Sequence, residues 1–84
     1  MSILRMPAVK AEMGHRSNAT IYNAINAGLF TKGVKIGERA RGWPSEEVLA
    51  INAARIAAKS DAEIRELVDR LHAKRVQTMG QVAA

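Results

Sequence analysis

Three asparagines and a tyrosine lie within the segment Ser17 to Thr31, which contains no charged residue. Asparagine is a poor helix former, yet the apolar residues of this segment have the spacing of a helix. An amide side chain donates and accepts at once, and it can bond N6 and N7 of adenine in a bidentate pair. A face without carboxylates also avoids repelling phosphate. The residue types therefore favour contact with base edges, with an ordinary polar surface as the alternative.

The helical spacing decides which side chains point outward. Ile21, Ala24 and Ile25 share one face of a helix with about 100° per residue, and we expect this face to meet the core. On the opposite face, alanine could meet a thymine methyl group, and tyrosine could bond a phosphate or pack on a sugar. The candidate base-reading residues are Asn18, which lies at the border of this face, and Ala19, Tyr22, Asn23 and Asn26.

The charge is distributed unevenly along the chain. The net charge is +5, and all of this excess lies in residues 1–44, because the remaining residues carry six basic and six acidic side chains. Such asymmetry indicates a polyanion bound by the first half, the alternative being a basic surface that aids solubility. The candidate contacts to a nucleic-acid backbone are Arg16, Ser17, Thr20, Lys32, Lys35, Arg39 and Arg41. Arg39 or Arg41 could instead enter a minor groove, and Arg41 could merely solvate its segment.

Two short helices must position the asparagines. Pro7 suits the first turn of a helix over residues 6–13, and Gly14 suits its left-handed end. Ser17 then predicts an N-cap, and the next helix should run to about Ala27, before Gly28. Two helices joined by a short turn that contains glycine predict a helix-turn-helix.

The segment 30–44, "FTKGVKIGERARGWP", predicts a small β-hairpin with its turn near Gly37 to Ala40. A hairpin after a helix-turn-helix is a wing. Trp43, at its end, is expected to be a core anchor beside Pro44 and Val48 rather than a base stacker.

Two further helices are expected. Ser45 is predicted to cap a helix that extends to Lys59, with Glu46 and Glu47 near its positive end. Ser60 and Glu63 have the spacing of a capping box. The helix after them carries an apolar stripe, and ion pairs are expected at i,i+4. The stripe is Ile64, Leu67, Val68 and Leu71, and the expected pairs are Asp61/Arg65, Glu66/Arg70 and Arg65/Asp69.

These elements predict a mainly α fold with a small β-hairpin. It is a winged helix-turn-helix over residues 1–59, followed by an amphipathic helix over 60–77 and a flexible tail over 78–84. The helix is expected to pack on the domain, although its stripe could instead bind a second copy or another protein.

Composition argues against several other classes. There is no cysteine, and the two histidines, His15 and His72, are far apart, so no metal site or cofactor is expected. The chain has neither a long apolar run nor a signal-peptide pattern, so we expect a cytoplasmic protein without membrane contact. No Ser/His/Asp set or phosphate-binding loop suggests an enzyme. Asp61, Glu63, Glu66 and Asp69 are explained better by helix capping and surface pairing.

Four segments together resemble the AlpA family of small phage and prophage DNA-binding regulators, which is related to the MerR-like winged-helix excisionases. They are "MPAVKAEMG", "SNATIYNAINAGLF", "KGVKIGERARGW" and "SEEVLAINAARIA", and the resemblance covers roughly residues 3–59. The matching positions are Ser17, Thr20 to Tyr22, Gly28 to Phe30, Val34 to Gly37, Gly42 to Trp43, and Glu47 to Val48.

This resemblance implies binding to direct repeats in the DNA of a phage or integrative element. It implies a transcription regulator, an excisionase that directs an integrase toward excision, or both. The partners that it implies besides DNA are an integrase and a second copy of the chain bound to the same DNA. Asn18 and Asn23 stand where the family often has basic residues, which suggests a changed target sequence. The turn between Gly14 and Ser17 is one residue longer than usual, which could alter the angle between the helices. The alternative function is a protein-interaction module, such as an antirepressor that docks through its C-terminal helix.

Overall fold

A computed structural model describes the backbone of residues 2–83 and the side chains of residues 2–76. The fold consists of four helices and three short strands. Their order is β1 (Ile3–Leu4), α1 (Met6–Met13), α2 (Asn18–Asn26), β2 (Val34–Gly37), β3 (Ala40–Pro44), α3 (Ser45–Ile56) and α4 (Asp61–Ala83). The predicted fold class is confirmed: the chain is a winged helix-turn-helix with an added C-terminal helix.

The turn between α1 and α2 forms as the sequence predicts. Gly14 adopts a left-handed conformation with φ of 72°, which glycine tolerates without a steric penalty. The N–H of His15 then bonds the carbonyl oxygen of Lys10 at 2.9 Å, closing α1. Ser17 caps α2, because its Oγ accepts a hydrogen bond from the N–H of Ala19 at 3.1 Å.

The sheet is antiparallel with the strand order β1-β3-β2. The predicted hairpin is confirmed, with Val34 opposite Gly42 and Lys35 opposite Arg41, and an irregularity follows before Gly37 meets Ala40. The sequence did not predict β1, in which Leu4 lies opposite Trp43. Because β1 pairs with β3 beside Gly42, a Cβ atom at this position would collide with the side chain of Ile3.

One apolar core joins the helices to the hairpin. Trp43 and Phe30 lie at its centre with their ring centroids 6.3 Å apart, so the predicted anchoring role of Trp43 is confirmed. Helix α4 contributes Ile64 and Val68, which are almost fully buried, and therefore it packs on the domain. The buried apolar residues are Val9, Ile21, Phe30, Trp43, Val48, Ile51, Ile64 and Val68.

Helix α3 differs from its prediction at both ends. Ser45 does not cap it, because Pro44 is the N-cap residue and Oγ of Ser45 instead accepts the N–H of Ser2 at 3.1 Å. The backbone N–H of Ser45 also donates to the carbonyl of Ser2 at 2.8 Å. Ser2, the residue before the unpredicted strand β1, therefore occupies the hydroxyl that was expected to cap α3. Helix α3 ends at Ile56, earlier than Lys59, and Ala58 follows with φ of 58°.

At the start of α4, the predicted capping box is confirmed: the N–H of Glu63 donates to Oγ of Ser60 at 3.2 Å, and the N–H of Ser60 donates to Glu63 at 3.3 Å. Hydrogen bonding from Ser60 lowers the pKa of Glu63. The side chains of residues 77–84 lie outside the described residues, so the predicted flexibility of 78–84 stays a prediction.

The three predicted i,i+4 ion pairs are wrong. Within residues 61–70, all of which the structure describes, none of them forms. The Nε of Arg65 donates instead to the carbonyl oxygen of Ala27 at 2.9 Å. Asp61 pairs with Arg55 across the α3–α4 connection at 3.9 Å. A fixed backbone carbonyl at the end of α2 competes successfully with an exposed, mobile carboxylate, whose pairing is worth little.

Candidate nucleic-acid interface

Helix α2 turns an uncharged face to solvent. Ile21 is 1% exposed and holds the helix against the core. All five candidate base-reading residues are exposed, and Tyr22 retains 43% exposure despite its size. The helical spacing therefore predicted the orientation of α2 correctly.

Tyr22 faces the wing. A cleft of about 410 Å³ lies between α2, the hairpin and the start of α1, and its walls include Tyr22, Lys35, Arg39 and Arg41. Of the five candidate base-reading residues on α2, Tyr22 is the one that lines this cleft with the cationic hairpin. Met6, Pro7, Gly37, Ala40 and Trp43 complete the walls together with Arg5 and Glu38.

Positive charge predominates in this cleft. Arg5, Lys35, Arg39 and Arg41 contribute four cationic side chains, against the single carboxylate of Glu38. Clustering of one sign of charge in a concave surface concentrates the potential there and raises the local concentration of an anionic partner. The cleft is thus suited to a phosphate-bearing ligand.

Arg5 is a candidate contact that sequence reasoning missed. It is the N-cap residue of α1 without a side-chain cap bond, and its side chain is exposed in the cleft. The signal for it was its position two residues before Pro7, at the start of a helix. Its proximity to the wing depends on the pairing of β1 with β3, which the sequence did not reveal.

The remaining predicted contacts lie elsewhere. The hydroxyl of Ser17 is used in capping α2. Thr20 lines a separate hollow with His15 and Arg55. Arg16 is exposed in the turn, and Lys32 is exposed before the wing, beside His72 of α4. Only Tyr22, Lys35, Arg39 and Arg41 of the predicted residues are brought together in the cleft.

Among residues 2–76, no three His, Cys, Asp or Glu side chains come together in a way that could hold a metal ion. None of the helices, over the part of the chain that the structure describes, has the length and apolar character needed to cross a membrane.

The joined helices, the exposed face of α2 and the cationic hairpin define a protein of the winged helix-turn-helix class. Residues 2–50 match the model of a family described as the prophage CP4-57 regulatory protein (AlpA). The match covers more than half of the chain, and the protein belongs to this family of phage regulators. No curated protein and no solved structure gives a significant match.

Proposed function

We propose that the protein binds double-stranded DNA of a phage or integrative element in a sequence-specific manner, and regulates transcription, recombination or both. Support comes from one relationship: Tyr22 of α2 and the wing residues Lys35, Arg39 and Arg41 line the same cationic cleft. A duplex seated on α2 would therefore also meet the wing.

In this function, α2 lies in the major groove. Asn23 and Asn26 are exposed on its outer face and could each pair with an adenine, at about 1–3 kcal/mol of discrimination per bidentate contact. No acidic side chain stands on α2, so the helix can approach the phosphates closely. Base selection is thus assigned to α2.

The wing grips the duplex beside that groove. Lys35 and Arg39 are exposed in the hairpin and suit bonds to phosphate oxygens, which hold the register without reading sequence. Arg41 lies opposite Lys35 in the hairpin, and its Nη1 donates a long 3.5 Å hydrogen bond to the carbonyl oxygen of Gly33. It is the wing cation that is most engaged within the protein itself.

Site selection from random DNA followed by anisotropy titration tests this division. Lys35→Ala should weaken all sites alike and reduce the slope of log affinity against log salt by about one unit. Asn23→Ala should instead reduce the ratio of affinities between selected and unselected sites. Arg70→Ala, on the exposed surface of α4, is the control for loss of one charge. A Lys35→Ala variant that changed only sequence preference would contradict the division.

The alternative, a protein-interaction module that docks through the C-terminal helix, has less support. Ile64 and Val68 of its apolar stripe are committed to the core. Absence of DNA binding at low salt would favour this alternative.

Two further experiments refine the main proposal. An excision assay with the integrase of the same element, alongside a promoter reporter, distinguishes recombination from transcription. The stoichiometry of the complex tests self-association on DNA.

A further inference from the structure

Helix α4 holds the residue from which the wing departs. The Nε2 of His72 accepts the backbone N–H of Lys32 at 3.1 Å, and Nη2 of Arg75 donates to the carbonyl oxygen of Lys32 at 2.8 Å. Both backbone polar groups of Lys32, which lies two residues before β2, are therefore bound by side chains one turn apart on α4.

Arg75 is itself fixed by α3. Its Nε and Nη2 donate to the two carboxylate oxygens of Glu47, at 2.7 and 2.5 Å. Glu47 is only 5% exposed, and this bidentate geometry is the strong form of the Arg–carboxylate pair. Lys32 is thereby connected through Arg75 to α3 and α4.

The wing has little burial of its own. Lys35, Ile36 and Gly37 of β2, the outer strand of the sheet, are exposed, and two short strands by themselves are marginally stable in water. The orientation of the wing comes from the pairing of β3 with β1 and from its base, where Trp43 is buried and Lys32 is held by α4. Freedom at this base would have to be lost on DNA binding, at a cost in affinity.

We propose that His72 and Arg75 are positioning residues, through which α4 sets the placement of the wing relative to α2 and thereby the affinity for DNA, without contact to DNA. This inference rests on the proposed function. It assigns a role to a helix that lies beyond the matched residues 2–50.

A charge-neutral double substitution tests it. Glu47→Gln with Arg75→Gln removes the ion pair and the fixed hydrogen bond to Lys32, leaves no unpaired buried carboxylate, and keeps the net charge at +5. We expect about a tenfold loss of DNA affinity, which corresponds to a coupling energy within the range that residues of one hydrogen-bond network show. Glu66→Gln with Arg70→Gln, both on the exposed surface of α4, is the matched control and should stay within about twofold.

A double-mutant cycle separates wing placement from a general weakening. In the Glu47→Gln, Arg75→Gln background, Lys35→Ala should cost less affinity than in the native chain, because the wing is already misplaced. Asn23→Ala should cost the same in both. If both substitutions add fully in the altered background, the positioning role is wrong, while the DNA-binding function stands.

Hydrogen exchange on the free protein gives a readout that needs no DNA. The amides of β2 and β3 should exchange faster in the double variant, and those of α2 should not change. Equally faster exchange in the hairpin and in α2 would contradict the inference, and so would unchanged exchange in the hairpin. If the native chain binds no DNA but this local effect is seen, the proposed function fails and the connection between α4 and the wing remains.

Discussion

The indole Nε1 of Trp43 donates a 2.9 Å hydrogen bond to the backbone carbonyl oxygen of Thr31, and this bond is buried. It connects the last strand of the wing to the segment that leads into the first. Trp43 is fully buried, so its ring fixes the hairpin to the core while its polar edge satisfies a backbone group.

Trp43→Phe should lower the free energy of unfolding by about 3 kcal/mol. The smaller ring leaves a cavity, and the carbonyl of Thr31 loses its donor. Urea denaturation measures the effect. A change of less than about 0.5 kcal/mol would show that the site repacks around phenylalanine and that the hydrogen bond contributes little.

Thr31→Val should raise the free energy of unfolding by about 1 kcal/mol. The Oγ1 atom of Thr31 is fully buried, and none of the described residues offers it a hydrogen bond. A methyl group of similar size removes that desolvation cost. Thr20→Val, at an exposed position, is the control and should have little effect. A loss of stability in Thr31→Val would imply that the hydroxyl has a partner in solution.

Stability should fall as the pH drops below about 6.5. Burial, and then the positive charge of Arg75, lower the pKa of His72, and Lys32 acts in the same direction, while Glu47 and Asp69 oppose it. The unfolded chain therefore binds more protons, so the contribution of neutral His72 is present above its unfolded pKa and is lost toward its folded pKa.

Urea midpoints at pH 7.5 and 5.5 measure this dependence. His72→Gln keeps an acceptor for the N–H of Lys32 and does not titrate, so its midpoint should change less between the two values. An equal decline in the native chain and in His72→Gln would exclude His72 as the origin. The hydrogen bonds between Ser60 and Glu63 also stabilise the folded chain, and this contribution to stability is lost only as the pH falls below about 4.5.

Gly42→Ala should destabilise the protein by about 1–3 kcal/mol. The added Cβ atom would collide with Ile3 and lie 3.2 Å from Cδ1 of Ile36, so β1 must move away from β3. Ile3→Ala in the same chain should recover part of the loss in a thermal melt, because it removes the colliding atom. Failure of this rescue would place the strain elsewhere in the hairpin.

Arg5→Ala should weaken DNA binding and reduce the salt slope by about one unit, as expected for a residue that contacts one phosphate. Its side chain lines the cationic cleft opposite the wing. Anisotropy titrations over a range of salt concentrations measure both quantities. An Arg5→Ala slope no different from that of Arg70→Ala would remove Arg5 from the interface.

Local signals in the sequence were sufficient for the helix-turn-helix. Gly14, Ser17 and Ser60 mark helix ends through backbone conformation and short-range capping, and each acts where it was predicted to act. The orientation of α2 followed from the spacing of Ile21 and its apolar neighbours, because a helix has one period and a core lies on one side.

The errors came from contacts between distant parts of the chain. Strand β1 has two residues, too few to show the alternation of apolar and polar residues by which a strand is predicted. Ser2, just before it, bonds the hydroxyl of Ser45, which was expected to cap α3. Arg65 donates to the carbonyl oxygen of Ala27, and Arg75 donates to that of Lys32. Backbone carbonyls at the ends of helices and strands are strong acceptors, and no local sequence pattern reveals which side chain will reach them. Arg5 was missed for the same reason.

The unit that folds is longer than the stretch by which the family is recognised. The matched residues end within α3, at position 50, whereas Ile64 and Val68 of α4 close the core and Arg75 reaches the base of the wing. Mutations in the unmatched residues 51–84 could therefore diversify relatives that keep every residue of the matched segment. Two such proteins could share the sequence of α2 and still differ in how firmly the base of the wing is held.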